Sequence, residues 1–253
     1  TDNYLDDPAV PAADKLAFNR RFRERLLEKE VFPANEYETT IMRLIKMIEE
    51  EWDRDTYPQA YQSLLAIHTA QTHSLGLVAA GVSPFELDVT GITFEKGGTS
   101  VLADGYLAAG MLTDEQARLL FGFGTFTQLM DDLEDLPGDR RENRASLFSL
   151  TAGHWPLEAL TWLVFHYGHT VVGDLEAFLA QDVAVLKEIV VRCLDLILID
   201  TVARIGTYYR RDTLEMLEGH MPLRLAVLQK QRQRLSPQKL NYEMLIEKLC
   251  ANG

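Results

Sequence analysis

Apolar residues recur along this chain at helical spacing, and the alternation expected of a half-buried strand is nearly absent. Pro8 and Pro11 interrupt the chain after an acidic start. The pattern then predicts a helix over about 13–29, with Leu16, Phe22, Leu26 and Leu27 toward the core. Pro33 and Asn35 open a second, to about 52, with Ile41, Leu44, Ile45 and Ile48 apolar. Pro58 opens a third, to about 82, after which Ser83-Pro84 reads as a cap and first turn. Asp88 caps the next, and Gly97-Gly98 sits in its middle beside Lys96. Two mid-helix glycines cost about 1 kcal/mol each against Ala, so the pair serves a break or a close approach. Thr113 with Gln116 is a capping box, and Pro137-Gly138 ends the helix that it begins. Pro156 starts a helix through 172, a strongly apolar one covers 182–205, and Gly206 stops it. Short helices follow from Thr213 and Pro222, and Ser236-Pro237 caps the last. With no repeat or linker in view, residues 1–253 are expected to form one all-α domain, a bundle of roughly ten helices.

The stretch 121–139, FGFGTFTQLMDDLEDLPGD, stands out. Its first half is uncharged, and its second half carries Asp131, Asp132, Glu134, Asp135 and Asp139. On a helix Gln128, Asp131 and Asp135 share one face, while Leu129, Leu133 and Leu136 share another that can turn to the core. Like charges one turn apart destabilise a helix and raise one another's pKa values. Such a pair facing inward calls for a cation, and oxygen-only ligands suit a hard ion such as Mg2+. The alternative is a solvated acidic helix end.

Composition narrows the remaining classes. The formal charge of -13 argues against nucleic acid and against an anionic membrane surface. The longest stretch without a formal charge, 56–85, contains Gln59, Gln62, His68, Gln71 and His73, so it reads as a buried helix and not a transmembrane segment. Cys193 and Cys250 lie far apart and read as reduced thiols of a cytoplasmic protein. The six histidines form no metal-binding pair and read as core or surface residues, and no phosphate-binding glycine loop or nucleophile elbow is present. What remains is an acidic start containing Asp2 and Asp6, the acidic stretch, Lys96, and Arg210-Arg211 near the end. Acids that hold metal and cations that hold phosphate together make an apparatus for binding a diphosphate.

QLMDDLEDLPGD, followed by RASLF, resembles the second aspartate-rich motif of the trans-isoprenyl diphosphate synthases, with Gln128, Asp131, Asp132, Asp135, Gly138 and Asp139 on its positions. Lys96 in KGG is similar to that family's preceding lysine, and the run Asp2, Asn3, Tyr4, Leu5, Asp6 resembles a first DDxxD motif with Asn at its second place. Tyr209-Arg210 resembles, in reversed order, the downstream Arg-Tyr pair of class I terpene synthases. The chain lacks an arginine pair close behind the first motif, since Arg20-Arg21 come late, and the second motif is not of the NSE type. The resemblance is therefore to the class I isoprenoid superfamily as a whole.

It implies the terpenoid synthase fold and an enzyme acting on an isoprenyl diphosphate substrate. Mg2+ would be held by Asp2, Asp6, Asp131, Asp132 and Asp135 to stabilise the departing diphosphate. Lys96, Gln128, Arg210 and Arg211 would bind the substrate's polar end, with one arginine reaching the diphosphate. Phe94, Phe121, Phe123 and Phe126 would supply aromatic faces for the cation left behind. A terpene synthase is the leading expectation, a chain-elongating prenyltransferase the second, and a catalytically silent partner subunit of the same fold the third; a homodimer is left open. The chain begins inside an acidic motif, so further helices are expected before Thr1 in the natural chain.

Overall fold

The computed structural model describes residues 10–78, 83, 86–178 and 182–219. Ten α-helices lie among the described residues, with no strand beyond an isolated bridge between Ala152 and Trp155. They are α1 (Ala12–Leu26), α2 (Glu36–Glu51), α3 (Pro58–Ser74), α4 (Val89–Ala109), α5 (Asp114–Glu134), α6 (Leu136–Glu142), α7 (Leu147–Thr151), α8 (Glu158–Gly173), α9 (Val183–Arg204) and α10 (Arg211–Gly219).

Local sequence accounts for most of the starts. Asn35 accepts from the Glu38 backbone N–H at 2.9 Å, and Asp88 accepts from Gly91 at 2.8 Å. Thr113 and Gln116 close the expected capping box, at 3.2 and 3.0 Å. Each cap satisfies a backbone donor that the helix itself cannot. Pro137 differs from expectation: α5 ends at Glu134, and Pro137 lies in the first turn of α6, where its missing N–H costs nothing. Helix α3 also stops short, at Ser74, and runs into a 3-10 turn, Leu75–Val78. Helix α10 begins at Arg211, two residues before the expected Thr213. The starts expected at Pro222 and Ser236-Pro237 lie outside the described residues.

Helices α4 and α5 are the central pair, and glycine sets how near they come. A Cβ on Gly97 would stand 2.3 Å from the Gly124 carbonyl oxygen and 2.5 Å from Cβ of Gln128. A Cβ on Gly124 would stand 2.1 Å from the Gly97 carbonyl oxygen. The backbones touch, so the glycine pair serves a close approach and the helix runs through it unbroken. Gly98 lodges the Phe121 ring in the same way, and Gly168 of α8 lodges Phe126.

Phe126, Leu129, Leu133 and Leu136 pack with Phe148, Val164, Val172, Leu198 and Val202 into one core shared by α5, α6, α7, α8 and α9. Leu133 and Leu136 are fully buried, as their spacing requires. Helix α1 departs from its pattern: Leu26 is buried, but Leu16 and Leu27 are exposed, and Phe18 takes the core position. Leu44 of α2 is also exposed. Charge holds these two helices where apolar area is thin. Arg21 binds fully buried Glu38 through two contacts of 2.8 and 2.5 Å, which holds the Glu38 carboxyl below its ordinary range. Arg25 grips Glu49, which also receives Arg54 at 2.8 Å. Helix α9 keeps an apolar outer stripe, with Val185, Leu186, Ile189, Leu196 and Ile197 exposed. No described helix is long and apolar enough to cross a membrane.

The glycine contact is directly testable. Gly124→Ala drives a methyl into backbone that cannot yield, and should lower the unfolding free energy by about 2–3 kcal/mol. Gly173→Ala meets nothing within 4 Å at a helical position and should raise it by about 0.5–1 kcal/mol. Chemical denaturation of the two variants should give opposite signs, and equal shifts would remove the close approach from the account.

Candidate functional site

Four helices enclose a cavity of about 330 Å³. Each gives residues at helical spacing. They are Asn19 and Phe22 from α1; Leu64, Ile67, His68 and Gln71 from α3; Lys96 and Ser100 from α4; and Gln128 and Asp131 from α5. The α3 set falls at i, i+3, i+4 and i+7, so it is one continuous stripe. Helices α4 and α5 thus give the cavity a polar wall of Lys96, Ser100, Gln128 and Asp131, and α1 and α3 a mixed one in which Phe22, Leu64 and Ile67 lie among Asn19, His68 and Gln71.

The glycine contact builds the polar wall. Gly97 abuts Gly124 and the stem of Gln128, so the preceding residue, Lys96, is set opposite the turn that carries Gln128 and Asp131. Gln128 extends its amide to Asp132 at 2.9 Å, with a longer approach of 3.5 Å to Asp131. Thr93 of α4 donates to the other oxygen of Asp132 at 3.3 Å. Asp132 is thus clasped between α4 and α5, and Asp131 turns into the cavity.

The carboxylates are strained electrostatically. Burial pushes Asp132 up to about 6, with the charges of Asp139 and Asp131 adding to it and the Gln128 hydrogen bond opposing it. Burial also raises Asp131, helped by the charge of Asp135 one turn on, while Lys96 pulls the other way. Asp139 is raised by burial and eased by its hydrogen bond to Ser146, which caps α7. Asp131 and Asp135 stand one turn apart with both residues exposed; Asp131 borders the cavity, and Asp135 follows Glu134 as the C-cap of α5.

The other expected site residues lie elsewhere. Asp2 and Asp6 fall outside the described residues. Arg210 gives its backbone N–H and its Nε to Glu158, at 3.1 and 3.2 Å. Arg211 is almost fully exposed and pairs with Glu215 one turn along. Glu158 borders a second cavity of about 330 Å³ with Trp162, Phe165, Tyr209 and Leu217; neither arginine lines it, and it shares no lining residue with the first. Phe94 stacks on Tyr167 at 6.5 Å, Phe123 packs against the core, and Phe121 and Phe126 fill glycine notches. None of the four lines the cavity that holds Lys96.

Sequence reasoning missed Asn19, Phe22, His68, Gln71 and Ser100 in this cavity, and it missed Arg204. The α3 stripe carried a signal, because His68 and Gln71 interrupt a helix free of formal charge. Arg204 carried none: it comes from α9 to pair with Glu134 at the acidic end of α5, and with Asp200 at 3.5 Å. Among the described residues no three His, Cys, Asp or Glu side chains converge as a metal-holding group. Asp131 and Asp135 make a crowded pair, and Mg2+ usually takes only one or two carboxylates, with waters and substrate phosphates completing its shell. The donor chemistry thus fits a hydrated ion, but not an all-protein cage. No family model, curated protein or solved structure matches this chain.

The raised Asp132 gives a pH-dependent prediction. Its folded pKa lies above the unfolded value, so its contribution favours folding most below about 3.8 and is lost as pH rises through about 6. Asp132→Asn, which keeps the Gln128 contact, should raise the unfolding free energy at pH 7.5 by about 1–3 kcal/mol. The gain should vanish near pH 4, and a gain independent of pH would contradict the assignment.

Proposed function

We propose that this chain is a Mg2+-dependent enzyme of the class I terpene synthase type, which ionises an allylic isoprenyl diphosphate and releases diphosphate. One observation carries the reading: a single cavity joins a lysine, an aspartate from the acidic stretch and apolar side chains, in Lys96, Asp131 and Phe22, Leu64 and Ile67. The terpenoid synthase fold belongs to the same proposal. What supports that fold is the all-α architecture, with the acidic helix and the lysine helix as its central pair.

On this reading Asp131 and Asp135 would hold Mg2+; Asp2 and Asp6, expected to join them, lie outside the described residues. The ion, when bound, would stabilise the negative charge of the leaving group. Lys96 binds the diphosphate oxygens as a point charge. Gln128 orients the acid face by holding Asp132. Phe22, Leu64 and Ile67 take the hydrocarbon and keep water from it. Arg210 and Arg211, each already engaged with a carboxylate, are left out of the binding set.

Incubation with geranyl, farnesyl and geranylgeranyl diphosphates plus Mg2+, with and without isopentenyl diphosphate, tests the reading. Hydrocarbon or alcohol without the acceptor is the expected result. A longer diphosphate formed only with the acceptor indicates a prenyltransferase, and no turnover with any of them favours the silent subunit. Asp131→Ala should cut turnover at least about a hundredfold while the helical circular dichroism is unchanged. In calorimetric titration with inorganic diphosphate and Mg2+, Lys96→Ala should weaken binding about ten- to a hundredfold. Arg211→Ala should change it by well under about 1 kcal/mol.

A further inference from the structure

We propose that the second cavity is a docking groove for the chain's own residues 220–235, which bind it through an apolar face and through their positive charge. The proposal is independent of the reading of the Lys96 cavity, because the two share no lining residue.

Two matching stripes make the groove. Helix α8 lines it at positions 158, 161, 162 and 165, and α9 lines it at 195, 198, 199 and 202. Both sets fall at i, i+3, i+4 and i+7, so each is one continuous helix face. Tyr209 and α10, through Thr213 and Leu217, close the third side. The lining is mostly apolar, yet Trp162 stays 42% exposed, and Leu196 and Ile197 are exposed beside the α9 stripe. A groove between two such faces is the form that receives an amphipathic helix, anchored at i, i+3 or i+4, and i+7.

The chain carries such anchors where they are needed. Helix α10 borders the groove at Leu217 and ends at Gly219, the last described residue. In the sequence that follows, Met221, Leu225 and Leu228 stand at i, i+4 and i+7, and Leu235 continues the same face two turns on. Each stripe and the first three anchors span seven helical steps, about 10 Å, so their lengths agree. Three residues separate Leu217 from Met221, so docking closes no long loop.

Charge selects this occupant over a second copy of the chain. Residues 158–219 carry ten acidic and five basic side chains, a net of −5, and residues 220–253 carry two acidic and six basic, a net of +4. Arg224, Lys230, Arg232 and Arg234 all fall within the docking stretch. Glu158 and Asp195 line the groove, and α10 carries Asp212, Glu215 and Glu218 at its edge. A second copy would set another acidic face against this one, and like charges repel.

Hydrogen exchange of the full chain, read by mass spectrometry, tests the proposal against a synthetic peptide of residues 220–235. Amides of that stretch should exchange at least about tenfold more slowly in the chain than in the peptide. Leu225→Asp in the stretch, and Trp162→Glu in the groove, should each bring them to within about threefold of the peptide. Leu163→Asp, on α8 but outside the groove, should change the protection by less than about twofold. No protection in the wild type, or protection that neither Leu225→Asp nor Trp162→Glu removes, overturns the proposal. Protection that falls on dilution together with the sedimentation coefficient overturns it too, because a second copy then fills the groove. Should Leu225→Asp and Trp162→Glu not fold, cross-linking decides. In a chain carrying Cys193→Ser and Cys250→Ser, a short bismaleimide should join Trp162→Cys to Leu225→Cys within one chain, and no link, or links between chains only, overturns the proposal.

Discussion

The site depends on a contact that has no side chains in it. Gly97 and Gly124 let two helix backbones meet, and a Cβ on either would stand within 2.3 Å of the other's carbonyl oxygen. Helices held apart by ordinary side chains pack with their axes about 8–10 Å apart, and small residues at the crossing bring them closer. Closeness matters here because the groups on either side of the crossing are short. Thr93 reaches Asp132 across it, and Gln128 is held by the same turn that presses on Gly97. One larger residue at the crossing would part the lysine from the acid face.

Having set the acids in place, the fold leaves them under stress. Three aspartates on or beside one helix end are raised by burial, and neighbouring charges add to it. Lys96 opposes this for Asp131 and Asp132, and Arg204 meets the exposed flank through Glu134. The cationic complement is therefore drawn from α4 and α9, on either side of α5. Lys96 only partly offsets the burial that raises Asp131 and Asp132, so both stay above their ordinary range.

The legible parts of the fold were those that rest on local chemistry. Asn35, Asp88 and the Thr113–Gln116 box mark helix starts because they satisfy backbone donors within one turn. The leucines of α5 reached the core because one face of a long helix must. Leu16, Leu27 and Leu44 did not, because α1 and α2 lie at the edge of the bundle and are held by Arg21–Glu38 and Arg25–Glu49 pairs that no periodicity describes. Pro137 was misread because a proline ends one helix and begins the next with the same ring.

The cavity shows the same division. Its acid face and its lysine were readable, since crowded carboxylates and a Lys-Gly-Gly are unusual within a helix. Its other half was not. His68 and Gln71 have meaning only beside Asn19 and Phe22, about fifty positions earlier, and nothing in either segment specifies the other. Arg210 illustrates the converse. An arginine in a suggestive sequence context still binds the nearest buried carboxylate that folding supplies, and here that is Glu158, which Thr213 and the Arg210 backbone also satisfy. Were the Arg210 side chain to leave, Glu158 would keep the Arg210 backbone N–H and the Thr213 hydroxyl, so the side-chain pair is one of three contacts on that carboxylate. Lys96, by contrast, borders a cavity with Asp131 and with Phe22, Leu64 and Ile67.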